Sequence, residues 1–102
     1  MPGRPLKRMS QFTTRVELHD ANDYRDYENL HKAMEKKGFN RYITDSNDGI
    51  KYHLPWAEYN FSGNDRSVVL KLAISAAEAT GKKASILVTE SNGRTWDNLP
   101  RA

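Results

Sequence analysis

A chain of 102 residues, 37% hydrophobic and 28% charged, suits one domain with a real core, burying roughly two thirds of the surface its unfolded form exposes. It has no cysteine, which excludes disulfide frameworks, thiolate nucleophiles, cysteine-ligated zinc and iron–sulfur clusters. Its net charge of +3, from 16 basic and 13 acidic residues, permits nucleic-acid binding without demanding it.

Residues 1–11 contain two prolines, a glycine and scattered charge without helical or strand periodicity, and are expected to be a disordered basic arm. Arg4, Lys7 and Arg8 either add salt-sensitive phosphate affinity or belong to a terminus without a role. The start resembles no signal peptide, and no apolar run approaches the ~18 residues of a membrane span, so a soluble cytoplasmic protein with no membrane partner is expected.

From residue 12 to residue 20 the chain alternates with a period of two. Phe12, Thr14, Val16 and Leu18 point one way and Thr13, Arg15, Glu17 and His19 the other, which predicts a half-buried strand. A helix follows, capped by Asn22 or Asp23, with Tyr24, Tyr27, Leu30, His31 and Met34 on one face. It ends with Gly38 as the left-handed cap and Phe39 folding back onto it. Residues 41–44 read as a short strand, and the turn formers of residues 45–49 predict a hairpin into Ile50 onward.

The next strand has a phase conflict. Ile50, Tyr52 and Leu54 alternate inward, but the same phase would expose Tyr59 and Phe61, so a bulge at Pro55 and Trp56 is expected to reset it within one kinked strand. After a loop at residues 62–65 comes a helix with Val69, Leu72, Ala73, Ala76 and Ala77 as its apolar stripe, closing at Gly81. Residues 84–90 form the last strand, with Ile86 and Val88 inward, and Asn92 and Gly93 make a turn. Residues 94–96 form a short edge strand or a docking tail.

Strand, helix, strand, strand, helix, strand is the ferredoxin-like βαββαβ order of an α+β fold. It predicts a single domain over residues 12–102, a four-stranded antiparallel sheet with two helices on one face and the other face open. The first and third strands would be the central, antiparallel pair, bringing His19 and Asp20 close to His53.

Two imidazoles beside a carboxylate suit RNA cleavage, which needs a base for the 2′-hydroxyl and an acid for the leaving oxygen. His19, Asp20 and His53 are therefore the catalytic candidates. Glu17 would orient one imidazole, and Arg15, Lys51 and Trp56 are the candidate RNA contacts. The alternative use of the cluster is a divalent-metal site through Asp20 and water. The bland reading is surface histidines beside an ordinary helix start. His31, on the apolar stripe, reads as boundary packing, and Trp56 and Trp96 equally suit anchors of a homodimer interface. No phosphate-cradling glycine loop, HExxH or nucleophile elbow is present, and no cofactor or resident metal is expected.

The segments 14–19 (TRVELH), 30–39 (LHKAMEKKGF), 52–63 (YHLPWAEYNFSG) and 87–96 (LVTESNGRTW) resemble a family of small bacterial and phage-borne proteins grouped with GhoS, the endoribonuclease antitoxin of type V toxin–antitoxin systems. The resemblance spans residues 12–96. It implies a ferredoxin-like fold akin to the CRISPR-associated Cas2 proteins and cleavage of a toxin's single-stranded mRNA, with Asp20 similar to the acidic residue those proteins place after their first strand. The rival expectation is a non-catalytic, dimeric protein- or RNA-binding module.

Overall fold

The computed structural model describes residues 9–102, so the basic-arm reading of residues 1–8 lies outside the described residues. Seven elements follow in chain order: β1 (Ser10–Leu18), α1 (Tyr24–Lys36), β2 (Tyr42–Thr44), β3 (Lys51–His53), β4 (Glu58–Gly63), α2 (Arg66–Glu78) and β5 (Ala84–Glu90). No described helix is long and apolar enough to cross a membrane.

The alternation of β1 does what its period requires. Phe12, Thr14, Val16 and Leu18 are buried, while Arg15 and Glu17 are exposed on the opposite face. The strand begins at Ser10, two residues earlier than expected, because Ser10 and Gln11 pair with Gly63 and Ser62. In α1 the cap is Asp23, whose side chain accepts from the Arg25 amide at 3.0 Å. Gly38, at φ +96°, reverses the chain, and Phe39 returns to the core with its amide on the Met34 carbonyl. Tyr24, expected on the buried stripe, is instead 69% exposed in the first turn. The stripe of α2 lies as expected, with Val69, Ala73, Ala76 and Ala77 buried beneath an Asp65 cap. Each large side chain in this core contributes about 1.5–3 kcal/mol by leaving water, and Tyr59, Phe12, Phe39, Leu30 and Met34 are the largest fully buried ones.

The sheet differs from the four-stranded expectation. One three-stranded antiparallel sheet runs β4-β1-β5, and β2 and β3 form a separate two-stranded hairpin. The central position of β1 and its antiparallel pairing with the later half of the expected third strand hold. Beyond β4 the place of a fourth strand is taken by a single bridge, in which Asn40 and Asn60 exchange backbone hydrogen bonds at 2.8 and 2.7 Å.

The cause is the segment read as a bulge. Pro55 has no amide to give a ladder, Glu58 donates back to the Pro55 carbonyl at 3.1 Å, and Ala57 takes a left-handed φ of +66°. The chain therefore turns rather than kinks, and the expected third strand becomes β3 and β4 in different sheets. The phase reset itself is real, since Tyr59 is fully buried and Phe61 packs against the core.

The C-terminal segment is a docked tail, as one of the two readings expected, and not an edge strand of the main sheet. Arg94 crosses the polar sheet face, and Trp96 packs on Tyr52 at 5.5 Å between ring centroids. The end then pairs with β3, where His53 donates to the Pro100 carbonyl at 2.8 Å and Ala102 to that of Lys51 at 2.9 Å. Trp96 is thus used within its own chain.

Candidate functional site

Two polar assemblies lie on the main sheet, one across its non-helical face and one at the end where β1 leaves it. The first follows from register. Thr13 lies opposite Asn60 and Gln11 opposite Ser62, so their side chains share the face turned away from the helices. Gln11 Oε1 accepts from Asn60 Nδ2 and Ser62 Oγ, both at 3.0 Å. Arg94 closes the network from above, donating to Thr13 Oγ1 at 2.8 Å and Asn60 Oδ1 at 2.9 Å. Burial lowers the pKa of the Arg94 guanidinium, and the Glu58 carboxylate opposes that shift. This half of the face is strapped rather than open. Arg15, Glu17, Ser85 and Leu87 remain exposed on the other half.

The second assembly joins α1 to the turn before β4. Tyr27 and His31 stand four residues apart on α1, hence on one face. The Leu18 amide donates to Tyr27 Oη at 3.1 Å, fixing the helix to the exit of β1. His31 Nδ1 and the Tyr59 hydroxyl share a hydrogen bond of 2.5 Å. His31 Nε2 is buried without a hydrogen-bond partner among the described residues. Trp56, carried out by the left-handed turn at Ala57, meets His31 edge-on and Tyr27 at a tilt, each at 5.3 Å. Trp56 is 59% exposed, and the Arg41 guanidinium lies 6.0 Å from the centroid of its ring. Burial, reinforced by Arg41, depresses the His31 pKa to about 4, so the ring is neutral at pH 7. Burial also raises the Tyr59 pKa and keeps the phenol protonated.

The residues expected to do chemistry are placed as follows. His19 is exposed directly after β1, its Nε2 2.7 Å from Ser85 Oγ and its amide on the Lys83 carbonyl at 2.8 Å, so its partners lie on the β5 side. Asp20 is exposed at a left-handed φ of 56°, and its carbonyl accepts from Lys82 Nζ. His53 is exposed in β3, in the other sheet. The expected side-by-side strands that were to join it to His19 are therefore not formed. Among the described residues, no hydrogen bond or ring contact links the two imidazoles. Arg15 is exposed opposite Glu58, and Lys51 sets its ammonium 4.6 Å from the Tyr42 ring centroid. No group of three or more His, Asp or Glu side chains among the described residues is placed to hold a metal ion.

Sequence reasoning placed His31 on the buried stripe, where it lies, without its Tyr59 partner, and it missed Arg41 and Arg94. The Tyr27-to-His31 spacing was visible but matched the apolar stripe, and no local signal placed Arg41 beside Trp56 or Arg94 over Asn60. Comparisons with protein-family models, curated proteins and solved structures give no match.

Proposed function

We propose that this protein binds single-stranded RNA at the end of the sheet where β1 leaves it, and that it acts there as a small endoribonuclease of the antitoxin type. The observation that supports the reading is the exposed Trp56 ring with the Arg41 guanidinium beside it. An indole backed by fixed rings is a stacking platform for an unpaired base, and a neighbouring guanidinium adds both cation–π and phosphate attraction. The Tyr27 hydroxyl ties that platform to the Leu18 amide, and His19 and Asp20 come next in the chain.

His19 takes the role of base. It accepts the proton of a 2′-hydroxyl, whose oxygen attacks the adjacent phosphorus and expels the 5′-oxygen, leaving a 2′,3′-cyclic phosphate. With one imidazole at the site the leaving oxygen takes its proton from water, so cleavage is slow relative to a two-histidine ribonuclease. Arg15 contacts the backbone from the exposed half of the sheet face. His53, in the other sheet, has no part in this reading. We read the topology, Asn40 bridge included, as a ferredoxin-like unit whose second strand has shrunk to one bridge.

The test is a pool of short single-stranded RNAs, followed for binding by fluorescence anisotropy and for cleavage on gels. Trp56→Ala is expected to weaken binding by about tenfold, within the ~1–3 kcal/mol of one base–aromatic stack. His19→Ala is expected to bind normally without cutting. Absence of binding to every RNA would overturn the proposal, and binding without cleavage would reduce it to a binding module.

A further inference from the structure

The outer edge of β5 is seven residues, Ala-Ser-Ile-Leu-Val-Thr-Glu, with no proline and no charge before its last position. Among the described residues it pairs on one side only, with β1. Such an edge templates pairing with another chain, and proteins ordinarily blunt it with lysine, proline, a bulge or a covering loop. Here Ile86 and Val88 are only half-buried and Leu87 is 65% exposed. Beside them α2 shows Leu70 at 36% and Ile74 at 40% exposure.

Register shows which backbone groups are free. The amide of His19 reaches the Lys83 carbonyl and that of Ser91 the Gln11 carbonyl, so odd-numbered residues of β5 turn their polar groups toward β1. The amides and carbonyls of Ala84, Ile86, Val88 and Glu90 therefore face outward.

We infer that β5 pairs antiparallel with β5 of a second copy of this chain, about a two-fold axis at Leu87, to form a continuous six-stranded sheet. That register sets Ala84 against the partner's Glu90 and Ile86 against the partner's Val88, all outward-facing pairs, so the free groups meet one another. Charge selects the second copy over another strand. Lys82 and Lys83 precede the strand and Glu90 ends it, so antiparallel self-pairing brings the Glu90 end of each copy beside the two lysines of the other. A two-fold contact uses the same patch on both subunits, which this distribution of charge satisfies. On the helix side, Leu70 and Ile74 of the two copies cover the half-buried Ile86 and Val88.

The experiment is sedimentation of the full chain across a wide concentration range, with circular dichroism as the check on folding. The wild type is expected at twice the chain mass. Val88→Pro removes an outward amide and leaves the β1 ladder intact, as proline is tolerated on an edge, and is expected to be monomeric. Glu90→Lys is expected to weaken the dimer by about tenfold, as is Lys82→Glu with Lys83→Glu, and mixing these two variants is expected to restore it as a heterodimer. A wild type that stays monomeric overturns the inference. So does a dimer that neither Glu90→Lys nor the lysine exchange weakens, and the exchange decides the matter should Val88→Pro fail to fold.

Discussion

His31 Nδ1 is hydrogen-bonded to the Tyr59 hydroxyl at 2.5 Å, while Nε2 of the same ring is buried with no hydrogen-bond partner among the described residues. The pair joins α1 to β4 through the core, and protonating the ring would put a charge among Tyr27, Trp56 and Tyr59 with the Arg41 cation nearby.

Stability is therefore expected to depend on pH through this ring. Its pKa is about 4 in the folded chain against 6.5 for the ordinary histidine of the unfolded chain. Between those values the unfolded state binds the extra proton, so stability is complete above pH 6.5 and is lost as the pH falls toward 4. Tyr59 stays neutral throughout that window, because burial raises its pKa. Chemical denaturation at pH 7 and pH 4.5 should show a loss on the order of 2 kcal/mol from this group, and His31→Gln should flatten that part of the profile. An unchanged slope in the variant would remove His31 as its source.

Arg94 is expected to matter for stability more than a surface arginine does. Asn60 is 8% exposed, and its Oδ1 accepts from Arg94 Nη2. Arg94→Ala leaves that oxygen without its donor and uncovers the Thr13 row, at a cost of about 1–3 kcal/mol. The melting temperature should fall by roughly 5–20 °C, whereas Arg15→Ala on the exposed half of the same face should leave it unchanged. Equal melting temperatures for the two variants would show that the strap contributes nothing.

The two outer histidines are expected to separate cleanly. His19 follows β1 at the exit end, and His53 belongs to the hairpin held by the C-terminal segment. Cleavage of single-stranded RNA should disappear in His19→Ala and persist within about twofold in His53→Ala, since a general base contributes on the order of a hundredfold or more. Loss of cleavage in both variants would return His53 to the reaction.

Much of this architecture is written in local sequence, because local physics decides it. The period of two in β1 fixed which side chains are buried, and the Asp23 cap, the Gly38 reversal and the stripe of α2 needed only neighbours a few residues away. The hairpin at residues 45–49 is of the same kind, with Gly49 at φ +72° and its amide on the Asp45 carbonyl. The phase conflict around Pro55 was legible too, but not its resolution. A bulge and a turn satisfy the same alternation of side chains, and the choice between them depends on where the chain on each side finds its hydrogen-bond partners.

Tertiary structure alone decided the rest. His31 looked like a packing residue because helical spacing tells which face a side chain occupies and not what stands opposite it; Tyr59, 28 residues later, supplied the partner. His53 looked like a neighbour of His19 because the strand order was read as unbroken. Arg94 reaches Thr13 across 81 positions of sequence. Periodicity and capping act over one or two turns of chain, whereas a site is assembled by packing that brings distant segments together, and no short-range rule carries that information.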